Sequence, residues 1–438
     1  MQPSTEVLIV GAGIGGLTLA LSLHQAGIGC TIREAAPAIL PLGVGINVLP
    51  HAVRELDELG LVGALAKVGI ETKESAFFNR YGQLIYAEPA GRRAGYDWPQ
   101  FSIHRGDLQA VLAAAVRERM PDAIVTDRRC TGVEMHDDGV TARFADTSGN
   151  EVERVRAPIV VGCDGLHSVL RRQFHPNEGE PRYSGVNMWR GVSLWKPFLS
   201  GATMVRAGWF KPAKLVIYPI RDNVDEQGRQ LINWVVEIET PSHLLRRDWN
   251  KQGRLDDFLP AIADWQFDWL DVPAMVEAAN AVFEFPMVDQ DPLPRWTFGR
   301  ATLLGDAAHP MYPIGSNGAS QAILDAEALA LALRDCGDSR EQGGTIDAAL
   351  ARYEDARRPA TAQIVASNRK MGPERVMQIV EERAPNGFAR LADVISDTEL
   401  NEVANQYKKI AGFDPATLNL AAAATSLAAA STPDRRSA

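Results

Sequence analysis

A chain that runs Glu6-Val7-Leu8-Ile9-Val10 and then turns through Gly11-Ala12-Gly13-Ile14-Gly15-Gly16 has few folds open to it. The first stretch is apolar and rich in β-branched residues, the pattern of a strand buried on both faces in a parallel sheet. After the glycines, Leu17, Leu19, Ala20, Leu21 and Leu23 continue at helical spacing as far as Gly27, a helix stop. Strand, glycine turn and helix in that order are the context of a dinucleotide-binding fingerprint. Gly11 allows the turn, Gly13 leaves room for a pyrophosphate, and Gly16 lets the helix pack close to the strand. Ile14 and Gly15 open the helix, whose unpaired N–H groups and dipole favour a phosphate. A second strand, Cys30-Thr31-Ile32-Arg33, ends at Glu34, where a carboxylate can accept both hydroxyls of an adenosine ribose.

Further along, Leu42-Gly43-Val44-Gly45-Ile46-Asn47 reads as a glycine-spaced loop, either an approach for a planar ligand or a simple crossover turn, and a helix is predicted over about 51–59. Short strands are predicted from 76 to 86, with a turn near Tyr81-Gly82. Gly106 and Asp107 open a periodic helix, on or just before whose first turn Arg105 and Gln109 offer a cation and an amide. They suit a pyrophosphate, and Arg105 equally suits plain solvation. Strands follow around 124–126, 133–135 and 140–144, the last two joined through Asp137-Asp138-Gly139. Pro158-Ile159-Val160-Val161-Gly162 is a second buried strand, and its turn, Cys163-Asp164-Gly165, stands where parallel sheets bind ligands. Residues 183–285 read as antiparallel strands, and 301–309 as a last strand and loop of the first kind. Helices over about 319–333 and 345–369 complete the core, and from about 414 the Ala, Ser, Thr and Pro content reads as a loose tail.

Composition narrows the partners. With 438 residues, 46% hydrophobic and 23% charged, the chain can bury a large cofactor, while a net charge of −10 argues against nucleic acid. No apolar run reaches the roughly 20 residues of a membrane span, and no export signal precedes the first strand, so a cytoplasmic monomer or homodimer is expected. Cys30, Cys130, Cys163 and Cys336 are scattered, which predicts neither a disulfide framework nor a metal site. One fingerprint without a second points to a resident flavin over a visiting nicotinamide nucleotide.

Three motifs then stand in one register. Gly11-x-Gly13-x-x-Gly16, Cys163-Asp164-Gly165-x-x-Ser168-x-x-Arg171 and Gly305-Asp306-Ala307-Ala308-His309-Pro310 resemble the class A flavoprotein aromatic hydroxylases, with the para-hydroxybenzoate hydroxylase fold. The resemblance covers residues 5–370. Within the family, Ile103-His104-Arg105-Gly106, Met188-Trp189-Arg190-Gly191-Val192 and the stretch 316–325 look most like the phenazine-hydroxylating members. The fold implied is α/β: a Rossmann-type (GR2-like) FAD-binding domain from residues 1–75, 100–180 and 295–372, and an interleaved, mainly antiparallel β-sheet substrate domain from 76–99 and 181–294. A C-terminal helical segment and flexible tail, 373–438, complete it.

The resemblance also implies roles. Glu34 holds the FAD ribose, Arg105 and Gln109 flank the phosphates, and Asp306 binds the ribityl or pyrophosphate portion. Val44 and Gly45 approach the cofactor, and the backbone from Pro313 through Gly315, Asn317, Gly318 and Ala319 lies along the isoalloxazine. Asp164, Gly165 and Arg171 belong to the motif used for both flavin and pyridine nucleotide. NADH or NADPH reduces the FAD, and O2 forms a flavin C4a-hydroperoxide that hydroxylates a small aromatic or heteroaromatic substrate, with decarboxylation left open. Epoxidation, Baeyer–Villiger oxidation and a non-catalytic flavin scaffold are the alternatives; no Trp-x-Trp signature supports halogenation. For the substrate, strand alternation offers Trp189 and Trp234 as a flat apolar clamp, Tyr218 as the hydroxyl orienting a phenol, and Ile46 and Pro313 as edges. Arg190 suits a carboxylate, but alternation turns it away wherever Trp189 faces inward.

Overall fold

The computed structural model describes residues 7–40, 43–240, 252–338 and 345–419. Glu6, Leu42 and the tail from residue 420 onward lie outside the described residues.

Val7–Val10, three of whose four residues are β-branched, is buried throughout and forms the middle strand of a five-stranded sheet. Across that sheet the order is Ala301–Leu303, Ile159–Gly162, Val7–Val10, Cys30–Arg33 and Ile124–Val125, every neighbouring pair parallel. The first strand thus has later strands on either side, which opens a crevice at its carboxyl end. Helices Ile14–Gln25, Arg105–Arg119 and Gly318–Asp338 cover the sheet, and Leu17, Leu21, Leu108, Leu112, Ile323 and Leu329 share one core with its strands.

A seven-stranded sheet carries the second half of the molecule. Its order is Ala279–Asp289, Arg182–Trp195, Gln230–Glu239, Ala213–Arg221, Thr203–Trp209, Glu74–Phe78 and Leu84–Pro89. All its pairs are antiparallel except Thr203–Trp209 with Glu74–Phe78. One face is sealed by Phe258, Ile262, Trp265 and helix Val272–Glu277; the other looks toward Tyr312 and Ile314. Between the two large sheets stands a small antiparallel one, Gly45–Val48, Phe101–His104 and Gly69–Glu71.

The segment read as a glycine-spaced loop is in part a strand: residues 45–48 pair with 101–104, so the crossover is ordered by backbone hydrogen bonds. A strand not foreseen, Glu151–Ala157, is mostly charged, with Val152, Val155 and Ala157 its only apolar residues, and pairs with Gly139–Ala145. Beyond Pro373 the chain forms helices Arg375–Arg383 and Asp397–Ile410, the first burying Val376, Met377 and Val380 against Phe77 and Ile85. No described helix is long and apolar enough to cross a membrane.

Candidate active site

Three turns at the carboxyl ends of neighbouring parallel strands meet in one crevice. In the first, Gly11 has φ +104°, and a Cβ there would stand 2.5 Å from the Cys163 carbonyl oxygen of the second turn. A Cβ on Gly16 would stand 2.1 Å from the Gly11 oxygen, and one on Gly15 2.8 Å from Leu304 in the third. These glycines are needed by the protein's own packing. Gly13 differs: a Cβ there meets nothing within 4 Å, so the space beside it is open to a ligand. Ile14 begins the helix with Gly13 as its N-cap. Glu34 and Gln109 grip the intervening peptide from both sides, Ala12 N–H donating to Glu34 Oε2 at 2.7 Å and Gln109 Nε2 donating to Ala12 O at 2.8 Å. Glu34 Oε1 also accepts the Ala36 N–H.

In the second turn, Asp164 Oδ2 accepts Val169 N–H at 2.7 Å, while Oδ1 is buried without a partner among the described residues. Burial raises its pKa, partly opposed by Ser168 and the Val169 amide. Gly165 has φ +73° and open space at its Cβ position. Ser168 caps helix Val169–Phe174, and Arg171, fully buried, reaches the third turn through hydrogen bonds from Nη1 to the carbonyls of Ala307 and Ala308. Its other nitrogens pair with Glu178.

The third turn is tied by Asp325 on helix Gly318–Asp338, which accepts Gly305 N–H at 3.1 Å, His309 Nε2 at 2.5 Å and Arg357 Nε at 2.6 Å. Burial pulls this carboxyl upward, but His309 and Arg357 outweigh it and hold it at about 2. His309 is thereby committed to a carboxylate, and Asp306 is left exposed on the outer side of the turn, its Oδ1 4.0 Å from a Cβ on Gly318.

Beyond lies the loop 313–319. Gly315 and Ser316 take left-handed conformations, at φ +73° and +57°, and Asn317 is buried with Nδ2 unpartnered among the described residues. Gly318 and Ala319 open the helix, whose first-turn amides have no acceptor along its own axis. At the start of helix Arg105–Arg119, Arg105 N–H donates to Val44 O at 2.9 Å, and the Arg105 side chain is exposed with no hydrogen bond or ion pair among the described residues. Gly45 joins the small sheet to the large one: its N–H donates to Asn233 Oδ1 at 2.7 Å and its carbonyl accepts Arg190 Nη2 at 3.2 Å. A Cβ on Gly45 would stand 2.6 Å from Asn233 and 2.8 Å from the Tyr218 ring. Ile46 is half-buried beside them.

Tyr218 and Arg190 occupy the sheet face that meets Tyr312 and Ile314, the residues either side of Pro313. Burial raises the Tyr218 phenol, with Arg190 and Arg206 opposing, and burial lowers the Arg190 guanidinium. The aromatic clamp is not formed. Trp189 and Trp234 point to the opposite face, Trp189 stacked on Phe258 and Trp234 tilted against it, with ring centroids 5.4 and 5.8 Å away, and Trp234 Nε1 donates to Ser193 Oγ. The reason is parity plus cover: the aromatic layer of Phe258 and Trp265 lies on that side, and Gly191 makes room for the Trp234 ring, which a Cβ there would meet at 2.4 Å. Of the two readings of this strand, Arg190 inward is the one realised.

Sequence reasoning missed a buried charge quartet on the same inner face. Lys214 Nζ donates to Glu237 at 2.6 Å and also to Glu374, and Arg206 Nε donates to Glu374 at 3.0 Å. Asn233, Arg206, Lys214 and Glu237 carry one signal in common, a polar residue at an inward position of an otherwise apolar strand. Met204 and Arg206 line a cavity of about 70 Å³ together with Gly315, Ser316, Tyr407 and Phe413. Burial pushes the thiols of Cys30 and Cys130 up to about 12, which leaves them inert.

The residues present fit a dinucleotide with a planar ring. Open space at Gly13, an unpaired cation at Arg105, an orphaned oxygen on Asp164 and an exposed Asp306 stand on or beside the three turns. Such a fold and crevice define a flavoprotein of the aromatic-hydroxylase class. The chain belongs to the FAD binding domain family, whose model matches residues 4–368. It is 46% identical over 370 residues to a phenazine 1,6-dicarboxylic acid hydroxylase of Lysobacter antibioticus, covering 83% of this chain and 89% of that one. A 3-amino-4-hydroxybenzoate 2-monooxygenase of Streptomyces platensis is 35% identical over 378 residues, covering 84% and 88%. Among solved structures, Klebsiella pneumoniae HpxO complexed with FAD and uric acid superposes with a TM-score of 0.73 at 24% identity, over 96% of this chain and 98% of that one.

Proposed function

We propose that the chain is an FAD-dependent, NAD(P)H- and O2-consuming monooxygenase that hydroxylates a small aromatic carboxylic acid, acting in the cytoplasm as a monomer or homodimer. Bound FAD supplies the electron transfer and the activation of O2. The polypeptide supplies placement: Glu34, Gln109 and the Gly13 peptide hold the nucleotide end, Asp164, Arg105 and Asp306 the middle, and the 313–319 backbone the ring. Tyr218 orients the aromatic against that ring, Arg190 and Asn233 fix the Gly45 strand beside it, and the buried sheet face excludes water. The same reading assigns residues 1–75, 100–180 and 295–372 to FAD binding and 76–99 and 181–294 to the substrate.

The observation that carries this reading is the packing of the three turns against one another, together with an inward-facing Tyr218 and a buried Arg190 on the sheet face that meets Tyr312 and Ile314. Both relatives reported above are named for aromatic carboxylic acids, which supports that substrate class. The test is direct. The purified protein should be yellow, should oxidise NADH or NADPH faster when an aromatic acid such as a phenazine or hydroxybenzoate carboxylate is added, and should yield a product carrying one atom of labelled oxygen from O2. A colourless protein, or labelled oxygen found only in peroxide with every aromatic tried, overturns it.

A further inference from the structure

The family model ends at residue 368, yet the described chain runs on to 419 and comes back onto the 313–319 loop. Two carbonyls flank Pro313. That of Tyr312 accepts Asn368 Nδ2 at 3.1 Å. That of Ile314 lies 3.4 Å from Tyr407 Oη, whose hydrogen is shared with Asn368 Oδ1 at 3.2 Å. The Tyr407 ring fills the space that any side chain at Gly315 would need, since a Cβ there would stand 1.9 Å from the phenol oxygen, and a Cβ on Gly372 would stand 3.0 Å from its other edge. The loop's left-handed glycine and the tyrosine are therefore one fitted pair, although 92 positions of sequence (407 − 315) separate them.

The segment bearing Tyr407 is fastened at four further points. Lys408 Nζ meets Glu88 at 2.5 Å on the last strand of the large sheet, and Tyr96 Oη donates to Phe413 O at 2.5 Å. Phe413 stacks on His51 with ring centroids 5.3 Å apart and planes 8° from parallel, and Asn419 Nδ2 donates to Gly95 O at 2.8 Å. Tyr407, Lys408 and Phe413 thereby form one wall of the cavity whose other walls are Met204, Arg206, Gly315 and Ser316.

We propose that Tyr407 is a positioning residue for the flavin-facing loop, and that residues 397–419 are the cover that holds it there and closes the aromatic site. In a trans peptide the N–H points opposite to the C=O. Drawing the Ile314 carbonyl toward Tyr407 turns the Gly315 N–H away from the cover, to the side where the function proposed above places the ring. Burial raises the Tyr407 phenol, so it remains a donor throughout the working pH range. This inference rests on that proposed function for the ring's location, and its test reads the flavin without any aromatic or reductant present.

Tyr407→Phe keeps the ring and removes the donor. The dissociation constant of FAD from the reconstituted protein should rise about fivefold, the worth of one hydrogen bond, and the visible absorption of the bound flavin should shift. Lys408→Ala, which frees the cover at the sheet edge, should raise iodide quenching of flavin fluorescence and, in turnover with an aromatic, the share of NAD(P)H lost to peroxide. If Tyr407→Phe leaves FAD affinity and the flavin spectrum unchanged, the inference is overturned, even where thermal stability falls, because stability alone marks a structural tyrosine. Should Tyr407→Phe not fold, unchanged quenching in Lys408→Ala overturns it. Altered flavin binding with no hydroxylated product would retire the proposed reaction and leave the positioning role standing; a wild-type chain that binds no FAD retires both.

Discussion

Gly13 and Gly16 stand three positions apart in one motif and do different work. A methyl group at Gly16 strikes the Gly11 carbonyl, and one at Gly11 strikes the next strand's turn from a left-handed backbone, so Gly16→Ala and Gly11→Ala should each lower the thermal midpoint by several degrees or prevent folding. Gly13→Val meets no protein atom within reach of its Cβ and should keep the apoprotein's midpoint within a degree or two while weakening FAD binding at least tenfold; calorimetry beside a flavin titration separates the two. Another residue-scale outcome concerns pH. Burial, aided by Arg357, holds the His51 imidazole down at about 3 against an ordinary 6.5. The unfolded chain takes up that proton first, so the stability from neutral His51 is complete above pH 6.5 and is lost as pH falls toward 3. Unfolding midpoints across that window should fall less steeply in His51→Gln than in the parent. Both glycine roles were legible in the motif, but what each Cβ would strike needed the third dimension, since the sequence holds only spacing and not what lies across from each Cα.

At the scale of elements, alternation along a strand decides which residues travel together, and the packing partner decides which set faces in. Met188-Trp189-Arg190 offered both answers. The aromatic layer around Phe258 attracted the tryptophans outward, and the inner face received Arg190, Tyr218, Asn233 and the charge quartet. That quartet ties strands Thr203–Trp209, Ala213–Arg221 and Gln230–Glu239 to Glu374 in the turn Gly372–Glu374. Lys214→Met should therefore cost about 3–5 kcal/mol in denaturant unfolding, because Glu237 and Glu374 would be left facing one another in a dry interior. Replacing Trp234 by Leu should lower stability through lost packing while leaving the substrate's KM unchanged, the opposite of what a clamp residue would give. The helices and parallel strands were legible as elements because their apolar spacing is local. Strand Gly45–Val48 was not, since Gly43 and Gly45 together look like a turn until Phe101–His104 pairs with residues 45–48.

For the whole molecule, the decisive junction is one glycine wide. Gly45 presses the small sheet onto the large one with no room for a side chain, between Asn233, Arg190 and Tyr218. Gly45→Ala should hold the two sheets apart, so that FAD is retained through the distant nucleotide cradle while aromatic binding, followed by perturbation of the flavin spectrum, weakens by an order of magnitude. The sequence by itself determined that a parallel sheet of the nucleotide-binding kind exists, that three of its strand ends run into glycine-containing turns, and that an antiparallel sheet is inserted into it; each of these is written in short-range pattern and motif order. Only the tertiary structure decided which face of that inserted sheet looks inward, which polar residues are buried together there, and that the C-terminal helix returns to grip the Pro313 loop. Those outcomes depend on contacts between segments far apart in the sequence, where burial and charge pairing choose among arrangements that local periodicity leaves equivalent.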